Sequence, residues 1–262
     1  MICAKNLSVR LSGKLIVDTL SLTAKAGQVT AIVGPNGSGK TTTMKAISGE
    51  IASTGELTIN GDDVRALEPW QLATRRAVLP QATTIAFPFT VREIVRMGLS
   101  TGLNNDAAHA QAIAAKALAA VDLEGFEGRF YQELSGGEQQ RVQLARVLTQ
   151  IWDPVLNGMP CFLMLDEPVS SLDIRHQLTI MQLARDYCTR GGGVIAVMHD
   201  LNLTAMYADH MVMMKRGKVA AAGAPAEVLT DAAMEEVFGC RMRVSGLPAA
   251  GTPFILPQTA VL

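Results

Sequence analysis

Residues 29–42 read Val29-Thr30-Ala31-Ile32-Val33-Gly34-Pro35-Asn36-Gly37-Ser38-Gly39-Lys40-Thr41-Thr42. The first five are apolar or β-branched and read as a short buried strand. Glycines at Gly34, Gly37 and Gly39, with Pro35, Asn36 and Ser38 between them, let the backbone curl so that its N–H groups point inward. A helix over 40–48 follows, and its N-terminus adds positive dipole character. Lys40 neutralises phosphate charge, and the Thr41 hydroxyl is placed to ligate Mg²⁺. A glycine-rich turn with a chance Lys-Thr is the plain alternative, but it would not require this spacing between a strand and a helix.

Outward from this loop, other apolar runs also end in polar residues. Cys161-Phe162-Leu163-Met164-Leu165 leads into Asp166 and Glu167. Ala77-Val78-Leu79-Pro80 leads to Gln81, and Val194-Ile195-Ala196-Val197-Met198 leads to His199. Short strands followed by helices predict an α/β fold, a parallel sheet covered on both faces, which gathers ligands at the carboxyl ends of its strands. Asp166 is placed to hold Mg²⁺, commonly through water. Glu167 is placed to polarise an attacking water as general base, a step that supplies roughly 10²–10⁴-fold. Taken alone, a carboxylate pair is usually a solvated strand end, and a lone histidine after a strand is usually structural. At a shared sheet edge, His199 is expected near a γ-phosphate and the water, and Gln81 near Mg²⁺ or the water.

The remaining pattern predicts antiparallel strands within 7–22 around Ser12-Gly13-Lys14, and a strand and turn over 55–61. It predicts helical structure over 91–120, alanine-rich from 107, and helices over 136–150 and 174–189. A hairpin over 211–222 turns at Arg216-Gly217-Lys218, and short helices near 225–229 and 231–238 close the chain.

With 262 residues, 48% hydrophobic and 18% charged, the chain can bury a sizeable core as one large domain. A net charge of −1 gives no electrostatic reason to expect nucleic acid. Cys3, Cys161, Cys188 and Cys240 form no Cys-x-x-Cys pair and read as free thiols of a reducing cytosol. The start, Met1-Ile2-Cys3-Ala4-Lys5, lacks the apolar stretch of a signal peptide, and no segment reads as a membrane span. Residues 244–262 are uncharged but broken by Gly246, Pro248, Gly251, Pro253 and Pro257. A cytosolic chain is expected, held at any membrane by another protein.

Leu134-Ser135-Gly136-Gly137-Glu138 narrows the class further. Ser and Glu at this spacing form an ordinary capping box, which leaves the two glycines unexplained. A helix start with bare backbone and a hydroxyl is a second anion site.

At these residues the chain resembles the nucleotide-binding subunits of ABC transporters over nearly its whole length. Residues 34–42 are similar to the family's Walker A motif and 161–167 to its Walker B. Residues 134–138, continuing as Gln139-Gln140-Arg141, are similar to its signature motif. Gln81 falls at the Q-loop, Ser171-Leu172-Asp173 at the D-loop and His199 at the switch histidine. The resemblance implies a RecA-like P-loop core, an antiparallel β subdomain, a helical subdomain over about 82–150 and a short tail over about 240–262. It implies a homodimer clamped head to tail on two ATP molecules with Mg²⁺. Each nucleotide would lie between the phosphate loop of one copy and Ser135, Gly136 and Gly137 of the other, with Asp173 of the D-loop as a further binding residue. It also implies two transmembrane permease subunits, a periplasmic substrate-binding protein reached indirectly, and a peripheral position on the cytoplasmic face of a bacterial inner membrane.

Finer likeness points to importer subunits of the iron-chelate and cobalamin type, and within these to haemin importers. It rests on Leu148-Thr149-Gln150-Ile151-Trp152-Asp153-Pro154, on 167–177, and on the tail stretches Phe238-Gly239-Cys240-Arg241 and Pro253-Phe254-Ile255-Leu256-Pro257-Gln258. Such subunits often stack an aromatic on adenine from the first hairpin, but here it reads Val9-Arg10-Leu11-Ser12, leaving Leu11 or Arg10 for that contact. His109 and His210 read as surface residues and His176 as part of a dimer interface, so haem is expected to contact the partners only. The same role for ferric siderophore or cobalamin stays open. So do a soluble ATPase of translation, repair or cluster assembly, and a nucleotide-dependent module without turnover, against which Glu167 argues. The stretch Ile85-Ala86-Phe87-Pro88-Phe89-Thr90-Val91 suits a groove for a partner's helix or ordinary packing.

Overall fold

The computed structural model describes residues 1–101 and 107–260. In chain order the strands are β1 (Ile2–Leu11), β2 (Lys14–Ala24), β3 (Val29–Val33), β4 (Thr54–Ile59), β5 (Asp62–Asp63) and β6 (Arg76–Leu79). They continue as β7 (Val155–Leu156), β8 (Met159–Pro160), β9 (Phe162–Asp166), β10 (Gly193–Val197), β11 (His210–Lys215) and β12 (Lys218–Gly223). The helices are α1 (Lys40–Ile47), α2 (Pro69–Ala73), α3 (Val91–Met97), α4 (Ala107–Ala120) and α5 (Gly136–Gln150). After them come α6 (Ile174–Thr189), α7 (Leu201–Tyr207), α8 (Pro225–Val228) and α9 (Asp231–Phe238).

The main sheet has the order β12-β11-β3-β10-β9-β6. It is parallel from β11 to β6, and β12 runs antiparallel at the edge. Side chains alternate between its faces. Val29, Ala31 and Val33 of β3, with Leu163 and Leu165 of β9, enter one core with α3, α4, α5 and α6. Ile32, Met164, Ile195 and Val197 enter a second core with α1 and the smaller antiparallel sheet, ordered β2-β1-β4-β5. Every residue of β3, β9 and β10 is therefore buried, as expected of a sheet covered on both faces.

The β1–β2 hairpin turns at Ser12 and Gly13 with φ of 47° and 80°, as a tight two-residue turn requires. The helical stretch expected over 91–120 is not continuous. It breaks at Gly98 into α3, a 3₁₀ turn and, further on, α4; residues 102–106 lie outside the described residues. Gly98 packs so closely on α5 that a Cβ there would collide with the Arg146 carbonyl and the Thr149 hydroxyl. Among the features that the sequence reading does not predict are α2, α7 and the β7–β8 hairpin. The hairpin turns at Asn157-Gly158, both at positive φ, and accounts for the long approach into β9.

Candidate active site

The main sheet brings residues far apart in sequence to one edge. β3 ends at Val33, and Gly34 follows at φ 147°. A Cβ at Gly34 would collide with the Met214 carbonyl of β11, so only glycine lets the loop lie against that strand. Gly39, the N-cap of α1, is left-handed at φ 101°. Lys40 is 6% exposed and donates from Nζ to the carbonyls of Gly34 at 2.9 Å and Pro35 at 3.2 Å. Burial lowers its pKa, and the charges of Glu167 and Asp166 oppose that shift. The Ser38 hydroxyl is buried without a hydrogen-bond partner. An orphaned hydroxyl inside a ring of glycines beside a buried cation fits a bound phosphate.

Asp166 closes β9, the neighbour of β10, which itself adjoins β3. Thr41 Oγ1 donates to Asp166 Oδ1 at 3.3 Å. Burial raises the Asp166 pKa, and the Thr41 hydrogen bond opposes that. A hydroxyl and a carboxylate in contact beside the phosphate loop fit Mg²⁺, which takes one or two protein oxygens and fills its shell from phosphate and water.

Glu167 adopts φ 55°, a left-handed conformation that costs a non-glycine residue about 1–3 kcal/mol. Its N–H donates to the Val197 carbonyl at 3.2 Å. Its Oε1 lies 2.6 Å from His199 Nε2. Gln81, exposed two residues beyond β6, reaches the same space. Asn36, Gly37, Gly39, Lys40, Thr41, Thr42, Gln81, Glu167 and His199 together line one cavity of about 530 Å³. A larger cavity of about 650 Å³ lies between α7, α9 and the tail, has a mostly apolar lining and contains none of these residues.

Ile16 also lines the site, on the strand facing Leu11. Leu11 itself is 43% exposed at the hairpin turn and is absent from the lining. The β1–β2 and β11–β12 hairpins stack beside the loop: Asp18 N–H donates to the Gly217 carbonyl at 2.9 Å, and Gly217 N–H to the Ser38 carbonyl at 2.9 Å. No periodicity in the sequence announces that contact, so Ile16 was missed.

Ser135 caps α5. Its hydroxyl accepts from Glu138 N–H at 3.3 Å, and its own N–H donates to Glu138 Oε2 at 2.8 Å. The capping box is therefore real and accounts for Ser135 and Glu138. Gly137 has a packing reason: a Cβ would stand 3.2 Å from the Ser171 carbonyl. Gly136 faces open space, so nothing within the chain demands glycine there. Asp173 caps α6, accepting from His176 N–H at 2.9 Å. None of Ser135, Gly136, Gly137 and Asp173 lines the cavity around Lys40.

Residues 17–170 match the profile of the family described as "ABC transporter". The chain is 67% identical over its full length to 99% of the "Hemin import ATP-binding protein HmuV" of Rhizobium etli. It is 65% identical over 263 aligned positions, covering both chains fully, to the protein of the same name from Rhizobium meliloti. A solved dimeric bacterial ABC transporter cassette superposes with a TM-score of 0.74 at 26% identity, covering 86% of this chain and 99% of that one. Among the described residues no helix is long and apolar enough to cross a membrane. The profile match over 17–170 and the full-length relatives at 65–67% identity show that this chain belongs to the ABC transporter family.

Proposed function

We infer that this chain is the ATP-hydrolysing, energy-coupling subunit of an ABC importer for haemin. The observation that carries the substrate is full-length identity of 65–67% to relatives named for haemin import. The chemistry is supported by a general base and a histidine in contact beside a phosphate loop.

Gly34 to Thr42 would cradle the phosphates of ATP, with Lys40 leaving the loop carbonyls for phosphate oxygens. Ile16, in place of Leu11, would meet the base. Thr41, Asp166 and Gln81 would hold Mg²⁺, which would supply positive charge against the phosphates. Glu167 would take the proton of the attacking water, and His199 would hold the Glu167 carboxylate toward it.

That none of Ser135, Gly136, Gly137 and Asp173 lines the cavity around Lys40 favours a head-to-tail homodimer. There the bare backbone at Gly136 would complete the partner's nucleotide site. The helices α3, α4 and α5 would form the helical subdomain over about 82–150. Closing of the dimer would drive two permease subunits, fed by a periplasmic substrate-binding protein, from the cytoplasmic face of a bacterial inner membrane.

The test is haemin uptake in source cells starved of other iron, comparing this chain with Glu167→Gln. Loss of haemin uptake, with ferric siderophore and cobalamin uptake intact, is expected. Unchanged haemin uptake would discard the substrate and send the same variant to the other chelates.

A further inference from the structure

The strained conformation of Glu167 has a support that the reaction roles above do not use. Gln140 lies on α5, two residues beyond the Glu138 of the capping box. Its side-chain Nε2 donates to the Glu167 backbone carbonyl at 3.0 Å. A carbonyl oxygen only accepts, so the nitrogen end of the amide is the end that faces Glu167. Ser170 Oγ donates to the same carbonyl at 3.2 Å. On the other side, Glu167 N–H is held by Val197 of β10. The peptide groups flanking this left-handed residue are thus clamped from β10, from α5 and from the turn that follows β9. Gln177 braces that turn from α6, donating to the carbonyls of Val169 at 3.3 Å and Leu172 at 3.0 Å. Gln140 lines no part of the cavity around Lys40 and meets Glu167 at its backbone carbonyl.

We propose that Gln140 is a positioning residue, whose amide holds the Glu167 backbone in its left-handed turn and so aims the Glu167 carboxylate at the attacking water. The inference rests on Glu167 being the general base. A residue at positive φ relaxes toward extended or right-handed backbone when its restraints weaken. Rotation about the Glu167 backbone would swing the carboxylate away from His199 and from the phosphate loop. A displacement near one ångström at a reacting group costs on the order of a hundredfold in rate. Because α5 also carries Ser135, Gly136 and Gly137, one helix would both set the base of its own chain and present the anion site to the partner.

The experiment is steady-state hydrolysis of MgATP by the full chain, with Gln140→Met and Gln140→Glu. Methionine keeps the length and removes the donor. Glutamate keeps the shape and sets an acceptor against the carbonyl. The expected result is a kcat lowered about tenfold to a hundredfold by Met and further by Glu, with half-saturation by ATP within about twofold of wild type. Ser170→Ala, which removes the hydroxyl donor and leaves the Ser170 N–H at 3.4 Å from the same carbonyl, should lower kcat in the same direction and by less, and it serves if either Gln140 variant fails to fold. A rise in half-saturation with kcat unchanged would overturn the proposal, as would equal kcat in all four proteins. Glu167→Gln run alongside separates the two ideas: if it hydrolyses ATP like wild type, the general-base reading falls, and if it is inactive while the Gln140 and Ser170 variants are normal, only this inference falls.

Discussion

His199 Nε2 and Glu167 Oε1 lie 2.6 Å apart, although 32 positions separate them in sequence and they follow different strands. The contact exists because β9 and β10 are parallel neighbours in register, with Asp166 opposite Val197. On the proposed mechanism His199 would act through the Glu167 carboxylate. Replacing it with Ala should lower kcat about a hundredfold while leaving nucleotide affinity near wild type, read by hydrolysis against binding of a non-hydrolysable ATP analogue. A matching loss of affinity would show that the histidine serves the phosphate loop instead.

Gly136 separates the two explanations of the α5 start. Its neighbourhood within the chain is open, so Gly136→Ala should fold with a Tm within about 2–4 °C of wild type. If its bare backbone faces a partner's nucleotide, hydrolysis and ATP-driven dimerisation should both fall steeply. Normal hydrolysis would leave the capping box as the whole meaning of Ser135 and Glu138.

The loop after Gln81 offers a test of coupling at Phe87. Phe89 packs on the main core, whereas Phe87 is 70% exposed and meets Phe89 edge to face at 6.2 Å. Phe89→Asp would bury a charge and strike the fold. Phe87→Asp should leave the ATPase of the isolated chain unchanged and abolish haemin uptake in cells. Intact uptake would remove this loop from the permease contact.

Asp166 is a stability cost at neutral pH. Burial raises its pKa in the folded state, so the stability linked to its protonated form is present at low pH and is lost as pH rises through the folded value. Asp166→Asn should therefore melt higher than wild type at pH 7. The difference should shrink as pH falls through the carboxylate range, read by thermal unfolding across pH. The same variant should lose most of its Mg²⁺-dependent hydrolysis.

The order of strand, loop and helix around Lys40, the buried run into Asp166 and Glu167, and the capping box at Ser135 were legible because each is local. Backbone conformation, helix-start chemistry and two-residue periodicity act over a few residues and leave their mark in consecutive letters. Sequence alone also placed Gln81 and His199 at strand ends. Which ends become neighbours is set by the sheet order β12-β11-β3-β10-β9-β6, and only the folded chain decides that. So the place of Ile16, and not Leu11, in the cavity lining, the packing reason for Gly137 and the hold of Gln140 on the Glu167 carbonyl belong to tertiary structure. Each is a contact between elements distant in the chain, made when two buried faces close on one another, and such closures have no period for a sequence to display.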